Sequence, residues 1–291
     1  MIAGVTSWVA ISPDTHQLHV WGTILGWDAA EMQLGLAVAA GPDPHELADL
    51  VVEAESLGFE SLWCNDHPAG DGLRQLAVWA ERSSSTTLGV GALALDRHSP
   101  ESIAQRVSDL GLGRDRTVLA IGAGFSQHPV RVVRDGVSRM RQLLPEVRLA
   151  VAAMGPRMCA LAGEMADAVL LNWMTPERAA WARDHVAAGA RDAGRALSDV
   201  KVYGYVRTAL GDDAQLRLAR ESSMYGAMPH YARHYEAMGV DPALVGDAVT
   251  DASELPARLA RYDALDIALV RVLSERSMHE VVKVARAAIG D

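Results

Sequence analysis

Five short stretches of this sequence carry side chains able to do chemistry. Asn65-Asp66-His67-Pro68 puts a carboxylate beside an imidazole. A free imidazole titrates near neutrality, so this pair is suited to moving a proton at working pH. His67 is the acid/base candidate and Asp66 the group to orient it, although the same residues also make an ordinary turn. Gly122-Ala123-Gly124-Phe125 lacks side chains where a planar ring or a phosphate could approach the backbone. It is only a fragment of a dinucleotide fingerprint, and close packing would use the same glycines. Ala153-Met154-Gly155-Pro156-Arg157 leads into a helix, so free N–H groups, a positive helix end and a guanidinium converge where an anion could sit. A plain Gly-Pro helix start accounts for it equally well. Leu171-Asn172-Trp173-Met174-Thr175 offers an amide, an indole and a hydroxyl; Trp173 is either a pocket wall or packing, and Thr175 is a helix cap. In Leu95-Asp96-Arg97-His98-Ser99-Pro100, Asp96 and Arg97 read as a solvated pair.

These stretches follow short aliphatic runs that alternate with amphipathic segments, which predicts a parallel sheet with crossover helices. The strands are expected at Gln33 to Val38, Ser61 to Cys64, Thr86 to Ala92, Thr117 to Ile121, Arg148 to Ala152, Ala168 to Leu171, Val200 to Arg207 and Ile267 to Leu273. Between the first two, Leu47, Leu50, Val51, Ala54 and Leu57 recur at helical spacing and Gly58 ends the run. Ser99 before Pro100, Thr175 before Pro176, and Ser253 with Glu254 are expected helix starts. Eight strands with intervening helices is the count that closes an α/β (β/α)8 TIM barrel, with an open doubly wound sheet as the alternative. Barrel active sites assemble at the carboxyl ends of the strands, where the five stretches lie. Residues 1–32 read as an N-terminal extension and 33–291 as the barrel domain. Within it, 212–249 is longer than a crossover needs, and its Met224, Met228, Tyr231, Tyr235 and Met238 suggest a helical insertion over the barrel mouth.

The formal charge of -10 argues against nucleic acid as a partner. Cys64 and Cys159 have neither disulfide-framework nor zinc spacing and read as two buried thiols of a cytoplasmic protein. The first residues lack the charged region and apolar run of a secretory signal, and no later segment has the length of a membrane span. The sequence holds no GxSxG elbow, HExxH pair, Walker loop or metal-ligand cluster, which disfavours serine hydrolase, metalloprotease and triphosphatase readings.

Taken in order, Leu57-Gly58-Phe59-Glu60-Ser61-Leu62-Trp63 with Asn65-Asp66-His67, then Leu95 to Pro100, Gly122-Ala123-Gly124, Gly155-Pro156-Arg157-Met158 and Ala166 to Trp173 resemble the luciferase-like monooxygenase superfamily. Short loops and the Asn-Trp pair are similar to its deazaflavin branch, which uses coenzyme F420. The resemblance implies a small-molecule oxidoreductase that passes hydride between F420 and an organic substrate. It implies His67 and Asp66 beside the reactive edge of the ring, and Gly91, Ala92 and Leu93 beneath its face on a bulge that carries a non-prolyl cis peptide in relatives. It further implies Gly122 and Gly124 near the ring, Ala153, Met154, Gly155, Pro156 and Arg157 at the phosphate, and Asn172 and Trp173 flanking the pocket. A homodimer is the family's usual assembly. The alternatives are a monooxygenase fed reduced FMN by a partner reductase, and a barrel that binds flavin without turning over. The Phe125 to Val147 stretch is shorter than in many relatives, which leaves the substrate unspecified.

Overall fold

Parallel strand pairing closes the sheet on itself. The computed structural model describes residues 32–83, 85–113, 115–273 and 277–291; the N-terminal extension expected from the sequence lies outside them. Eight strands form the barrel: β1 (Gln33–Ala39), β2 (Ser61–Asn65), β3 (Thr87–Ala94), β4 (Thr117–Gly122), β5 (Arg148–Ala153), β6 (Ala168–Asn172), β7 (Lys201–Leu210) and β9 (Ile267–Val272). Each pairs in parallel with its neighbour, β7 pairs with both β6 and β9, and β9 returns to β1. The ring is therefore closed, and the open-sheet alternative falls.

The eight expected strands all form, with ends shifted by one to three residues. A ninth, β8 (Asp247–Val249), was not expected; it adds to the far end of β7 through Thr208–Leu210, which is why β7 runs beyond Arg207.

Alternate residues separate into two cores. Ala37, Trp63, Val118, Ala120, Ala150, Leu170, Tyr203, Tyr205 and Leu269 fill the inside of the barrel, while Leu36, Leu62, Leu119, Val151 and Val270 face the helices. This is the period of two expected for strands buried on both faces. Trp63 occupies the space left by Gly89, where an added Cβ would lie 2.1 Å from the indole.

The helices are α1 (Leu50–Ser56), α2 (Gly72–Ala80), α3 (Pro100–Asp109), α4 (Pro129–Leu143), α5 (Pro156–Met165), α6 (Pro176–Asp192), α7 (Ala214–Gly226), α8 (Pro229–Met238), α9 (Leu255–Leu259) and α10 (Met278–Ile289). Ser99 and Thr175 cap α3 and α6 by accepting from Ser102 N and Arg178 N. Ser253 does not cap α9. A 3-10 turn precedes that helix, and Asp251 caps the turn by accepting from Ser253 N.

At the amino-terminal end of the barrel, away from its mouth, the Glu55 carboxylate accepts from Ser85 Oγ at 2.8 Å, Thr86 N at 3.1 Å, Thr86 Oγ1 at 2.6 Å and the Ser83 hydroxyl. The Ser83 hydroxyl, followed by that of Thr86, holds its pKa down from 4.5 to about 2. A depressed carboxyl stabilises the fold above its unfolded pKa and loses that contribution as pH falls through the folded value. Glu55→Gln is expected to cost about 1 kcal/mol at pH 7, with the gap to wild type closing between pH 4.5 and about 2. Urea denaturation across that range tests it, and a gap independent of pH would refute the assignment.

Candidate functional site

The inward series on each strand ends at the carboxyl rim of the barrel, and those last positions make the mouth. On β7, Tyr203 and Tyr205 lie in the inner core, so the next residue of that parity is Arg207; on β9, Ile267 and Leu269 lead likewise to Arg271. The same count gives Ala39 on β1, Asn65 on β2, Gly122 on β4, Ala152 on β5 and Asn172 on β6. From β3 to β5 the rim is small and from β6 to β9 it is polar, with Ala39 and Asn65 between the two.

The small half forms a shallow floor. A Cβ built on Gly122 would lie 3.1 Å from Ala92 Cβ and 3.7 Å from Ala152 Cβ, so three adjacent strands meet there with almost no side chain. The Gly91–Ala92 peptide is cis, and the β3–β4 register shifts between Gly91 and Leu93, which sets the bulge on β3.

Gly91 and Gly124 serve packing. Gly91 makes room for Leu170, and Gly124, at φ +60, makes room for the Asp96 carboxylate, which accepts from Phe125 N at 2.8 Å. Leu93 and Ala153 face the helix layer and are buried.

Asp66 does not orient His67. Its buried carboxylate accepts from Gly72 N at 3.1 Å, from Arg97 Nη2 at 2.6 Å and lies 2.9 Å from His98 Nε2. Arg97 is therefore drawn to Asp66 rather than to Asp96, because Asp96 is already engaged by the β4 loop. The His67 ring is held by the backbone: Ala69 N donates to Nδ1 at 3.3 Å, which leaves the proton on Nε2 to donate to Ala40 O at 3.0 Å. The asparagine beside them, Asn65, keeps a buried Oδ1 with no partner among the described residues.

At the anion stretch, Gly155 begins α5 with open space around its Cα, while Pro156 and Arg157 are exposed. Arg157 stands off in solvent, and the guanidinium that reaches this loop is that of Arg178 on α6, which donates to Met154 O at 3.2 Å and stacks 3.4 Å above the Trp181 ring.

Asn172 sits at the edge of the polar half, where β6 adjoins the floor. Its Oδ1 accepts from Arg207 Nη2 at 2.9 Å and its Nδ2 donates to Tyr231 Oη at 3.3 Å. Trp173 is fully buried, at φ +49, against Tyr225, Tyr235 and Arg207. It is thus packing beneath α7 and α8 rather than an open wall. His234 on α8 lies 2.6 Å from Trp173 O, tying that helix to the end of β6. Tyr205 hydrogen-bonds at 3.3 Å to both Cys64 O and Gly91 O, joining β2, β3 and β7 below the floor.

Arg178, Tyr205, Arg207, Glu221, Tyr231 and Arg271 escape a reading that inspects only residues after each strand. Arg207 and Arg271 had a signal: a charge closing the inward series Tyr203, Tyr205 and Ile267, Leu269. Cys64 and Cys159 are buried and unpaired, and burial raises both thiols, Cys159 to about 12. Among the described residues no cluster of His, Cys, Asp or Glu could hold a metal, and no helix is long and apolar enough to cross a membrane.

A second buried acid lies outside the mouth. Asp247 on β8 is 3 % exposed, its Oδ2 has no partner among the described residues, and burial pushes its pKa up. A raised carboxyl pKa means the folded state holds the proton more tightly, so stability falls as pH rises above 3.8. Asp247→Asn is expected to gain about 1 kcal/mol at pH 7, a gain that vanishes below pH 3.8. Urea denaturation at the two pH values decides; a gain that persists in acid would point to packing instead.

A closed parallel barrel with a flat, nearly side-chain-free floor and a polar rim at its carboxyl end is the scaffold of a cofactor-binding TIM-barrel protein. The chain belongs to the luciferase-like monooxygenase family, whose sequence profile matches residues 26–148 and 134–271. It is 26% identical over 219 residues to a 5,10-methylenetetrahydromethanopterin reductase of Methanolobus tindarius, covering 63% of this chain and 67% of that protein. It is 31% identical over 152 residues to an F420-dependent glucose-6-phosphate dehydrogenase of Intrasporangium calvum, covering 43% of each. The match thus spans about two thirds of the first relative and less than half of the second. Among solved structures, an F420-dependent secondary alcohol dehydrogenase in complex with an F420-acetone adduct superposes with a TM-score of 0.72, covering 89% of this chain and 98% of that one. At 16% identity that likeness is one of fold.

Proposed function

We propose that this protein is a coenzyme F420-dependent oxidoreductase that passes hydride between the deazaflavin and a small organic substrate. The floor of Ala92, Gly122 and Ala152 carries the reading: a flat ring can lie on it, and the orphaned Asn65 Oδ1 is an acceptor waiting at its edge. The F420-dependent glucose-6-phosphate dehydrogenase among the sequence relatives supports the choice of cofactor. When bound, F420 supplies two-electron hydride chemistry and reacts poorly with oxygen.

The residues of the chain have the remaining tasks. Backbone N–H groups of Gly155 and Arg157 at the start of α5, with Arg178 beside them, hold the phosphate. His67 exchanges a proton with the substrate oxygen at Nδ1, its less firmly held ring atom, while Nε2 stays anchored on Ala40. The 212–249 insertion, tied down by His234 and Tyr231, keeps water from the mouth. The buried thiols suit the reducing cytoplasm, and a homodimer is the proposed assembly.

Equilibrium titration with F420, FMN and NADPH tests the cofactor, with F420 expected to bind at least about tenfold tighter than the others. Tighter FMN binding with oxygen uptake in turnover would establish the monooxygenase reading; binding without turnover, the non-catalytic one. His67→Ala is expected to lower kcat on the order of a hundredfold with F420 affinity kept, and unchanged turnover would remove its role.

A further inference from the structure

Arg207 and Arg271 are cross-strand neighbours on β7 and β9, and both are buried, at 3% and 6% exposure. Two guanidinium groups side by side need counter-charge, and the neighbouring charged group that acts on both is Glu221 of α7. Its Oε1 lies 3.2 Å from Arg207 Nη1. Arg207 is further occupied by Asn172 and by the faces of Trp173 and Tyr225, at 4.6 and 5.3 Å.

Arg271 is not so occupied. Its Nη1 donates to Val272 O at 2.7 Å, its buried Nε, like that of Arg207, has no partner among the described residues, and no Asn172-like acceptor or aromatic face takes the rest of the group there. That leaves the Nε/Nη2 edge, the side of a guanidinium that matches the two oxygens of an oxyanion. Arg271 lines a cavity of about 100 Å³ at the carboxyl ends of β1 and β9, with Ala39, Glu221 and Leu273 and, from the helix-facing layer, Leu47 and Val281. Burial and then the charge of Arg207 both push the Arg271 pKa down, as expected of a cation short of anionic partners.

We propose that this cavity recognises a carboxylate on the substrate, gripped by the free edge of Arg271. The charge count selects a carboxylate over a phosphate dianion: two arginines against Glu221 leave one positive charge, which a monoanion neutralises and a dianion overshoots. The inference rests on the proposed function, since it takes the substrate to enter the mouth from the β1–β9 side, across the ring of strands from the floor assigned to the cofactor, and it narrows the substrate class to small hydroxy or oxo acids.

The test is equilibrium binding to the F420-loaded protein, by calorimetry at constant ionic strength, of glycolate, ethylene glycol and inorganic phosphate. Glycolate is expected to bind saturably, at least tenfold tighter than either comparison. Arg271→Lys, which keeps the charge but loses the fork, is expected to weaken glycolate about tenfold while F420 affinity changes less than twofold. Glu221→Gln, which leaves two net positive charges, is expected to bring phosphate up to or above glycolate. Phosphate preferred by the wild type, glycolate binding untouched by Arg271→Lys, or F420 and glycolate lost together would each overturn the proposal. A protein that binds glycolate but not F420 would fail the cofactor reading and leave the carboxylate site standing.

Discussion

Gly122→Val is expected to lose about a hundredfold in F420 affinity, roughly 2.8 kcal/mol, in a protein that still folds. The position is the last inward residue of β4, and its missing side chain is what keeps the floor flat. The new Cβ would meet Ala92 at 3.1 Å, a contact that yields by a few tenths of an ångström, and the valine methyl groups would project beyond it into the ring's place. Overpacking of this kind costs on the order of 1–3 kcal/mol, which a barrel with two continuous cores tolerates. Fluorescence titration with F420 supplies the affinity, and far-UV circular dichroism with a urea midpoint supplies the folding control. Wild-type affinity in the variant would place the ring elsewhere. The same substitution at Gly124 is a useful contrast: its Cβ would strike the Asp96 carboxylate, so the β4 loop would be displaced without filling the floor.

The contrast between these two glycines marks what was readable in the sequence. The barrel was legible because each element announces itself locally, a strand as an aliphatic run bounded by a cap or a glycine and a helix as a periodic one; Leu50, Val51 and Ala54 of α1, for example, are buried at the spacing that predicts that helix. The stretches at the strand ends were legible for the same reason. Which atoms in them face the mouth was not. Gly122 and Gly124 look alike in sequence, but β4 ends between them, so one continues the inward parity and the other turns toward β3. Likewise Arg157 advertises itself by following Gly-Pro, yet Arg178 holds the loop, because the α6 start lies beside it in space and not in sequence. Arg271 lies nearly a hundred positions beyond the last strand-end stretch that drew attention, and the charge that closes its inward series gains meaning only when β9 is set against β7. The short strand β8 carries too few residues to show any period.

Removing the Asp66 carboxylate tests the largest departure from the sequence reading. Asp66→Ala is expected to destabilise the protein by about 3 kcal/mol, the low end of the range for breaking a buried ion pair because Arg97 keeps partial access to water. The carboxylate, 4% exposed, collects the N-terminus of α2 through Gly72 N, together with Arg97 and His98 from the turn after β3. Two loops of the mouth are thereby joined, and neither bond runs to His67. Loss of turnover in Asp66→Ala would therefore say little about chemistry, since the loops that frame the floor would part. A double-mutant cycle separates the effects. With Arg97→Met, an interaction energy of about 1–3 kcal/mol is expected, so that the double variant is more stable than the sum of the single changes predicts. Urea denaturation of the four proteins measures it. Strict additivity would show that the pair is not the tie between the loops, and would return Asp66 to the role beside His67 that adjacency in the chain first suggests.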